Sequence, residues 1–252
     1  MKLTFFVLMA SLLVCNCAAA LDDGTFSGKL AMVVGNDVTT SDPVVAGSDW
    51  LSFQCDDSGC SLLPAQVSVS DVPNSRDSME LVLQRLHFSN TGSDSTRVVE
   101  AWFRRDKAHA WLKPGPVLTF ASVEGPVAAV VDFSTESFDI VAAGRTITLM
   151  PLLDRDHKRI RLQLREPGVR QMLDDVSECL ASSPGYLRWV GDLDGDGRPD
   201  YLIDYPRGAD KTHAVLYLSS LAGPQQLVGS AAVFDSAVDF TGCDGSDYFG
   251  GE

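Results

Sequence analysis

Between Asp192 and Asp200 the chain reads Asp-Leu-Asp-Gly-Asp-Gly-Arg-Pro-Asp, which sets four carboxylates at positions 1, 3, 5 and 9 of one short loop. Alternate side chains of such a loop turn inward. A hard divalent cation takes six to eight oxygens at about 2.3–2.6 Å, and Asp192, Asp194, Asp196, Asp200 and the backbone carbonyl of Arg198 at position 7 offer five, with water to complete the shell. Gly197 at position 6 permits the sharp turn that a side chain would resist. Without a cation the four carboxylates repel one another, so an empty loop is costly. Calcium fits better than magnesium, which demands tight octahedral geometry and keeps its waters. The bland alternative is an Asp/Gly turn that holds no metal, since both residue types favour turns. All the carboxylates are committed to the ion, so the expected role is structural rather than catalytic. Extracellular calcium modules bind at roughly 10⁻⁴ to 10⁻³ M, so such a site fills outside the cell.

The elements on either side of the loop determine what kind of site it is. Position 12 is Ile203, where an EF-hand needs a bidentate glutamate, and the flanks Tyr186 to Val190 and Tyr201 to Tyr205 read as strands rather than helices. An aspartate-rich turn between two strands resembles the calcium loop of FG-GAP and VCBS repeats. That resemblance covers about 20 residues and implies calcium binding. Those families build propellers from several copies, whereas one copy is present here, so the resemblance does not extend to their fold. Most of the remaining chain resembles a family of uncharacterised secreted bacterial proteins, in which a Trp-Leu…Cys…Gly-Cys segment, here Trp50 to Cys60, accompanies the aspartate loop and a later Leu-Tyr-Leu-Ser-Ser strand, here Leu216 to Ser220. This resemblance implies one architecture and no particular activity.

The chain opens with Met1-Lys2, an apolar run from Leu3 to Val14 and the small residues Ala18-Ala19-Ala20. That is the pattern of a signal peptide over residues 1–20, too short to cross a bilayer, with cleavage before Leu21. Lipid attachment at Cys15 or Cys17 is a minor rival, because neither follows a small residue. No second apolar run reaches the roughly 20 residues of a membrane span. The expected location is the periplasm or the medium. With 20 Lys and Arg against 34 Asp and Glu, the formal charge is −14, which argues against nucleic acid and favours cations as partners. Cys55, Cys60, Cys179 and Cys243 remain after cleavage, an even number suited to disulfides in an oxidising compartment. Three pairings are open. The Asp57-Ser58-Gly59 turn favours Cys55–Cys60, leaving Cys179–Cys243 to tie down the tail. A four-cysteine zinc site is the weaker reading, for want of CxxC pairs.

Short strand-like segments dominate: 51–54, 66–69, 80–87, 98–104, 117–121, 127–133, 146–149 and 159–164. In Arg159 to Arg165 every second residue is apolar, as in a strand with one wet face. A helix is expected near 168–180, where Val169, Met172, Leu173, Val176 and Leu180 recur at helical spacing after Pro167 and before Pro184-Gly185. The predicted fold is mainly β (α+β), with antiparallel sandwich-like sheets, one helix and the calcium loop in a β-hairpin. Residues 21–252 form one mature β-rich domain, with a candidate subdivision at 122–126 around Gly125-Pro126.

Other chemistry is thin. His87 and His213 sit in apolar strand-like runs and read as structural, and Asp154 to Arg159, which includes His157, reads as a solvated turn rather than an acid–base pair. Trp102, Phe103 and Trp111 stand near Arg104, Arg105 and Lys107, and alternation explains them as one buried and one wet face. Zinc-protease, nucleophile-elbow and P-loop motifs do not occur. The reading is an exported calcium-binding module for a soluble ligand or protein, not catalytic. Its rivals are a secreted hydrolase with a dispersed active site, marked by a deep cleft holding His109 or His157 beside a carboxylate, and an envelope structural or adhesive component.

Overall fold

The computed structural model describes residues 26–35, 37–40, 44–56, 59–73, 82–90, 97–120, 129–130, 137–142, 144–154, 159–177, 186–206 and 212–235. Seventeen strands follow in chain order: β1 Phe26–Gly28, β2 Met32–Val33, β3 Asp37–Thr40, β4 Gly47–Asp56, β5 Gly59–Pro73, β6 Val82–Asn90, β7 Val98–Arg104, β8 Gly115–Thr119, β9 Ala129–Val130, β10 Phe138–Ala142, β11 Arg145–Asp154, β12 Arg159–Glu166, β13 Val169–Ser177, β14 Tyr186–Asp192, β15 Asp200–Pro206, β16 Thr212–Leu218 and β17 Gly229–Asp235. A 3-10 turn, Ser219–Leu221, follows β16.

Thirteen strands form one antiparallel sheet, whose main path runs β1-β17-β16-β15-β14-β8-β5-β4-β7-β2. The path begins and ends on neighbouring segments of chain. β1 pairs with β17, β2 pairs with β7, and only residues 29–31 lie between β1 and β2. Lys29 and Leu30 donate their N–H groups to Ala231 O at 2.8 and 3.0 Å, while Arg104 N donates to Ala31 O at 3.0 Å. The sheet therefore nearly closes, so the two-layer sandwich expected from sequence gives way to a barrel-like wall. Closure satisfies edge N–H and C=O groups that an open sheet would leave bare.

The interior is aromatic. Trp50 packs edge-on to Phe88 at 5.1 Å between centroids, Phe88 stacks on Trp102 at 4.7 Å and Phe53 meets Trp189 edge-on at 5.0 Å. The Trp102 indole N–H donates to Gly35 O at 2.8 Å, so this buried ring carries no unmet donor. A second sheet, β10-β11-β12-β13, covers part of the outside. Its Ile140, Ile147, Leu149, Leu162 and Leu164 share a core with Tyr201, Ile203, Tyr205, Val215 and Tyr217 of β15 and β16. Those two strands are consequently buried on both faces, with Leu202, Ala214, Leu216 and Leu218 pointing into the barrel.

The expected helix near 168–180 is a correction: Val169–Ser177 is strand β13, antiparallel to β12, with 178–180 outside the described residues. No α-helix occurs among the described residues. Pro167-Gly168, read as a helix start, is instead the hairpin turn from β12 to β13, with Gly168 at φ +86°. Val169, Gln171 and Leu173 face inward, and Met172 is 43% exposed. The inward polar residue disguised the period of two. Gln171 Oε1 accepts from Leu227 N at 2.6 Å and Val228 N at 3.0 Å, and its Nε2 donates to Val228 O at 2.8 Å. These bonds tie the small sheet to the segment leading into β17.

The Cys55–Cys60 disulfide bridges directly opposed positions of the β4–β5 hairpin, with α-carbons 4.1 Å apart. Cys179, Cys243, His157, residues 1–20 and the candidate subdivision at 122–126 lie outside the described residues.

Candidate metal centre

β14 and β15 form an antiparallel hairpin in which Gly191 pairs with Asp200, so Asp192 ends one strand and Asp200 begins the other. The loop between them is wound around the Asp192 carboxylate. Its Oδ1 accepts from Gly195 N at 2.7 Å and Asp196 N at 3.0 Å, and its Oδ2 accepts from Gly197 N at 2.8 Å. Gly195 and Gly197 adopt φ of +80° and +79°, the left-handed backbone that turns these N–H groups inward.

Asp200 is fully buried beneath the loop. Its Oδ2 accepts from Leu193 N and its Oδ1 from Ser219 N, both at 2.8 Å. Burial, together with the charges of Asp194 and Asp196, pushes its carboxyl up to about 7 despite these two donors. Burial also raises the Asp194 carboxyl, against the bond it accepts from Ser220 Oγ. A bound cation reverses both shifts, since it favours the charged form.

Three of the predicted ligands converge. One oxygen each of Asp192, Asp194 and Asp200 lies within 4.8 Å of the others, a group that could hold a metal ion. Oxygens bound to one calcium at about 2.3–2.6 Å lie no more than roughly 5 Å apart, so the spacing suits such an ion. Asp196 stands outside the trio: its Oδ1 accepts from Arg198 N at 2.8 Å and its Oδ2 from Ser219 Oγ at 2.6 Å. Arg198 is exposed in the loop. A cleft of about 360 Å³ borders the trio, lined by Leu62, Trp111, Pro116, Leu118 and Asp194 among others.

Ser219 and Ser220 were not among the residues expected at the site. They belong to the 3-10 turn after β16, and between them they contact Asp200, Asp196 and Asp194. The only trace in sequence was the Leu216 to Ser220 segment, whose serines had no assigned role.

The histidines sit elsewhere. His87 is on the exposed face of β6 rather than among apolar side chains. His109 Nδ1 lies 2.7 Å from Asp106 Oδ1 within one turn, and Asp106 also caps His109 N at 2.9 Å. His213 sits between two carboxylates, Nδ1 at 2.5 Å from Asp235 Oδ1 and Nε2 at 3.5 Å from Asp174 Oδ2, an ion-pair distance rather than a hydrogen bond. This bridge joins β16, β17 and β13. Trp102 and Phe103 are neighbours on β7 and both are buried, which corrects the reading of Val98 to Arg104 as one buried and one wet face: burial runs unbroken from Glu100 to Phe103, while Trp111 is half-buried and Arg104, Arg105 and Lys107 are exposed.

No protein-family model, curated protein or solved structure matches the chain.

Proposed function

We propose that this chain is an exported calcium-binding β protein in which a structural ion clamps the β14–β15 hairpin to the end of β16, and that it acts by binding a soluble ligand or protein. The carrying observation is the convergence of Asp192, Asp194 and Asp200 on one point, with Asp200 buried and its carboxyl raised to about 7. A carboxylate in that position is stabilised most simply by a cation. Asp196 and the Arg198 carbonyl, in the same exposed loop, are the remaining donors that the loop offers. The loop's likeness to FG-GAP and VCBS calcium turns supports calcium as the ion, and its hard oxygen donors agree.

The residues 1–20 pattern and the Cys55–Cys60 bridge support export to an oxidising compartment. Against a hydrolase stand the aspartates' engagement with loop N–H groups and the exposure of Asp106, the carboxylate that His109 meets at 2.7 Å, which places that pair on the open surface.

Thermal unfolding of the mature protein during calcium and magnesium titration tests the reading. Calcium raises the midpoint by mass action, by about 2.7 kcal/mol of stability at one hundred times Kd. Asp194→Ala removes the rise and magnesium gives a smaller one. An unchanged wild-type midpoint at millimolar calcium overturns the proposal.

A further inference from the structure

The seam where the barrel wall closes carries a concentration of positive charge that the acidic composition does not foreshadow. A groove of about 840 Å³ opens there, lined by Gly28 to Ala31, Asp49, the run Arg104 to Lys107, and Ala110. Lys29, Arg104, Arg105 and Lys107 are all exposed. Four of the chain's 20 basic residues therefore line one concavity, against the two carboxylates of Asp49 and Asp106. Asp106 is turned to His109, from which it takes both the ring contact and the backbone N–H.

None of the four cations makes an ion pair or side-chain hydrogen bond among the described residues. In a chain with 34 acidic residues, a folded surface has ample means to neutralise such a cluster. With Asp49 as the one groove carboxylate not turned to His109, the four cations are compensated only in part, and an anion in the groove relieves the remaining repulsion. The backbone beneath is fixed. Lys29 N bonds Ala231 O at 2.8 Å, Arg104 N bonds Ala31 O at 3.0 Å and Arg105 N bonds Asp49 O at 2.7 Å, so the side chains spring from a frame that need not be ordered on binding.

We propose that this seam groove is an anion-binding site for a compact soluble ligand bearing clustered phosphate or sulfate oxyanions. Two adjacent arginines supply planar forks that take such oxygens bidentately, and Lys29 and Lys107 add point charges. A compact ligand fits better than a polymer, because the net charge of −14 repels a long polyanion beyond the groove. The site is independent of the aspartate loop.

Isothermal titration with fructose 1,6-bisphosphate and with sucrose octasulfate, at about 50 mM NaCl where screening is weak, tests the proposal, with sucrose as the neutral control. The expected result is one-to-one binding of at least one anionic probe with Kd below about 1 mM. Binding weakens at least about tenfold in Arg104→Gln/Arg105→Gln and again at about 500 mM NaCl. A response to the phosphate probe alone assigns phosphate esters, and a response to the sulfate probe alone assigns sulfate esters. Failure of both probes at low salt, or equal binding of sucrose, overturns the proposal. Should the arginine variant not fold, Lys29→Gln/Lys107→Gln decides, and unchanged affinity in a folded variant of either kind overturns it.

Discussion

The Ser219 backbone N–H donates to Asp200 Oδ1 at 2.8 Å, joining the floor of the aspartate loop to the end of a strand nineteen residues away. Asp200 also receives Leu193 N. Asp200→Ala therefore strands two buried donors, at about 1–3 kcal/mol each, offset in part by removing a carboxylate that burial disfavours. The expected loss is about 2 kcal/mol in chelator, read by urea unfolding, and larger when calcium is present. A variant as stable as wild type in both conditions removes Asp200 from the site.

Gly191 precedes the loop at a point where no side chain fits. A Cβ there would lie 2.2 Å from Leu118 O and 2.2 Å from Trp189 Cζ2, one of them backbone. Gly191→Ala should push β14 off β8 and lower stability by about 3 kcal/mol, the scale of an overpacked core. Because Asp192 follows directly, calcium affinity should drop as well. Both are read in one calcium-dependent melting series.

The Cys55–Cys60 bridge closes a short loop, with a sequence separation of 5. Chain entropy assigns such a loop about 2 kcal/mol, and the paired hairpin already restrains its ends. Cys55→Ala/Cys60→Ala should thus cost 2 kcal/mol or less, to about that precision, and keep the native circular dichroism spectrum. Loss of fold would show that the bridge constrains much more than its own hairpin.

Arg188 ties β14 to two buried carboxylates, Asp204 Oδ2 at 2.7 Å and Glu100 Oε2 at 3.5 Å. Burial raises both carboxyls, and Arg188 opposes the rise without cancelling it. With folded values above the ordinary 4.5 of Glu100 and 3.8 of Asp204, the folded state holds protons more tightly than the unfolded chain. Their contribution to stability is thus complete below those values and is lost as pH rises through the raised ones. Glu100→Gln should flatten that decline from about pH 4.5 upward, measured in chelator by denaturant unfolding at stepped pH. An unchanged slope would show that Glu100 is not a source of the decline.

Gln171 is one polar pin of the small sheet, beside the contacts of Asp174 with His213 and Tyr217. Gln171→Ala removes partners from Leu227 N, Val228 N and Val228 O together, for an expected loss of about 3 kcal/mol. Hydrogen exchange at Leu227 and Val228 should accelerate most. Protection unchanged at both amides would refute the pin.

The sequence by itself determined what is local. Alternation located β12, and Asp and Gly at fixed offsets marked the β14–β15 turn, where each of the loop N–H donors to Asp192 lies within five residues of it. The Cys55–Cys60 pairing was legible for the same reason. Tertiary structure decided whatever depends on distant partners. Val169–Ser177 became a strand because β12 offers it a ladder and Gln171 finds backbone partners at Leu227 and Val228, which helical spacing of apolar residues does not register. Ser219 and Ser220 joined the loop, Asp196 turned away from the trio, and Arg104 and Lys29 came to line one groove at the closing seam for one physical reason: which residues come together follows from how the sheet curves, and curvature is a property of all its strands together.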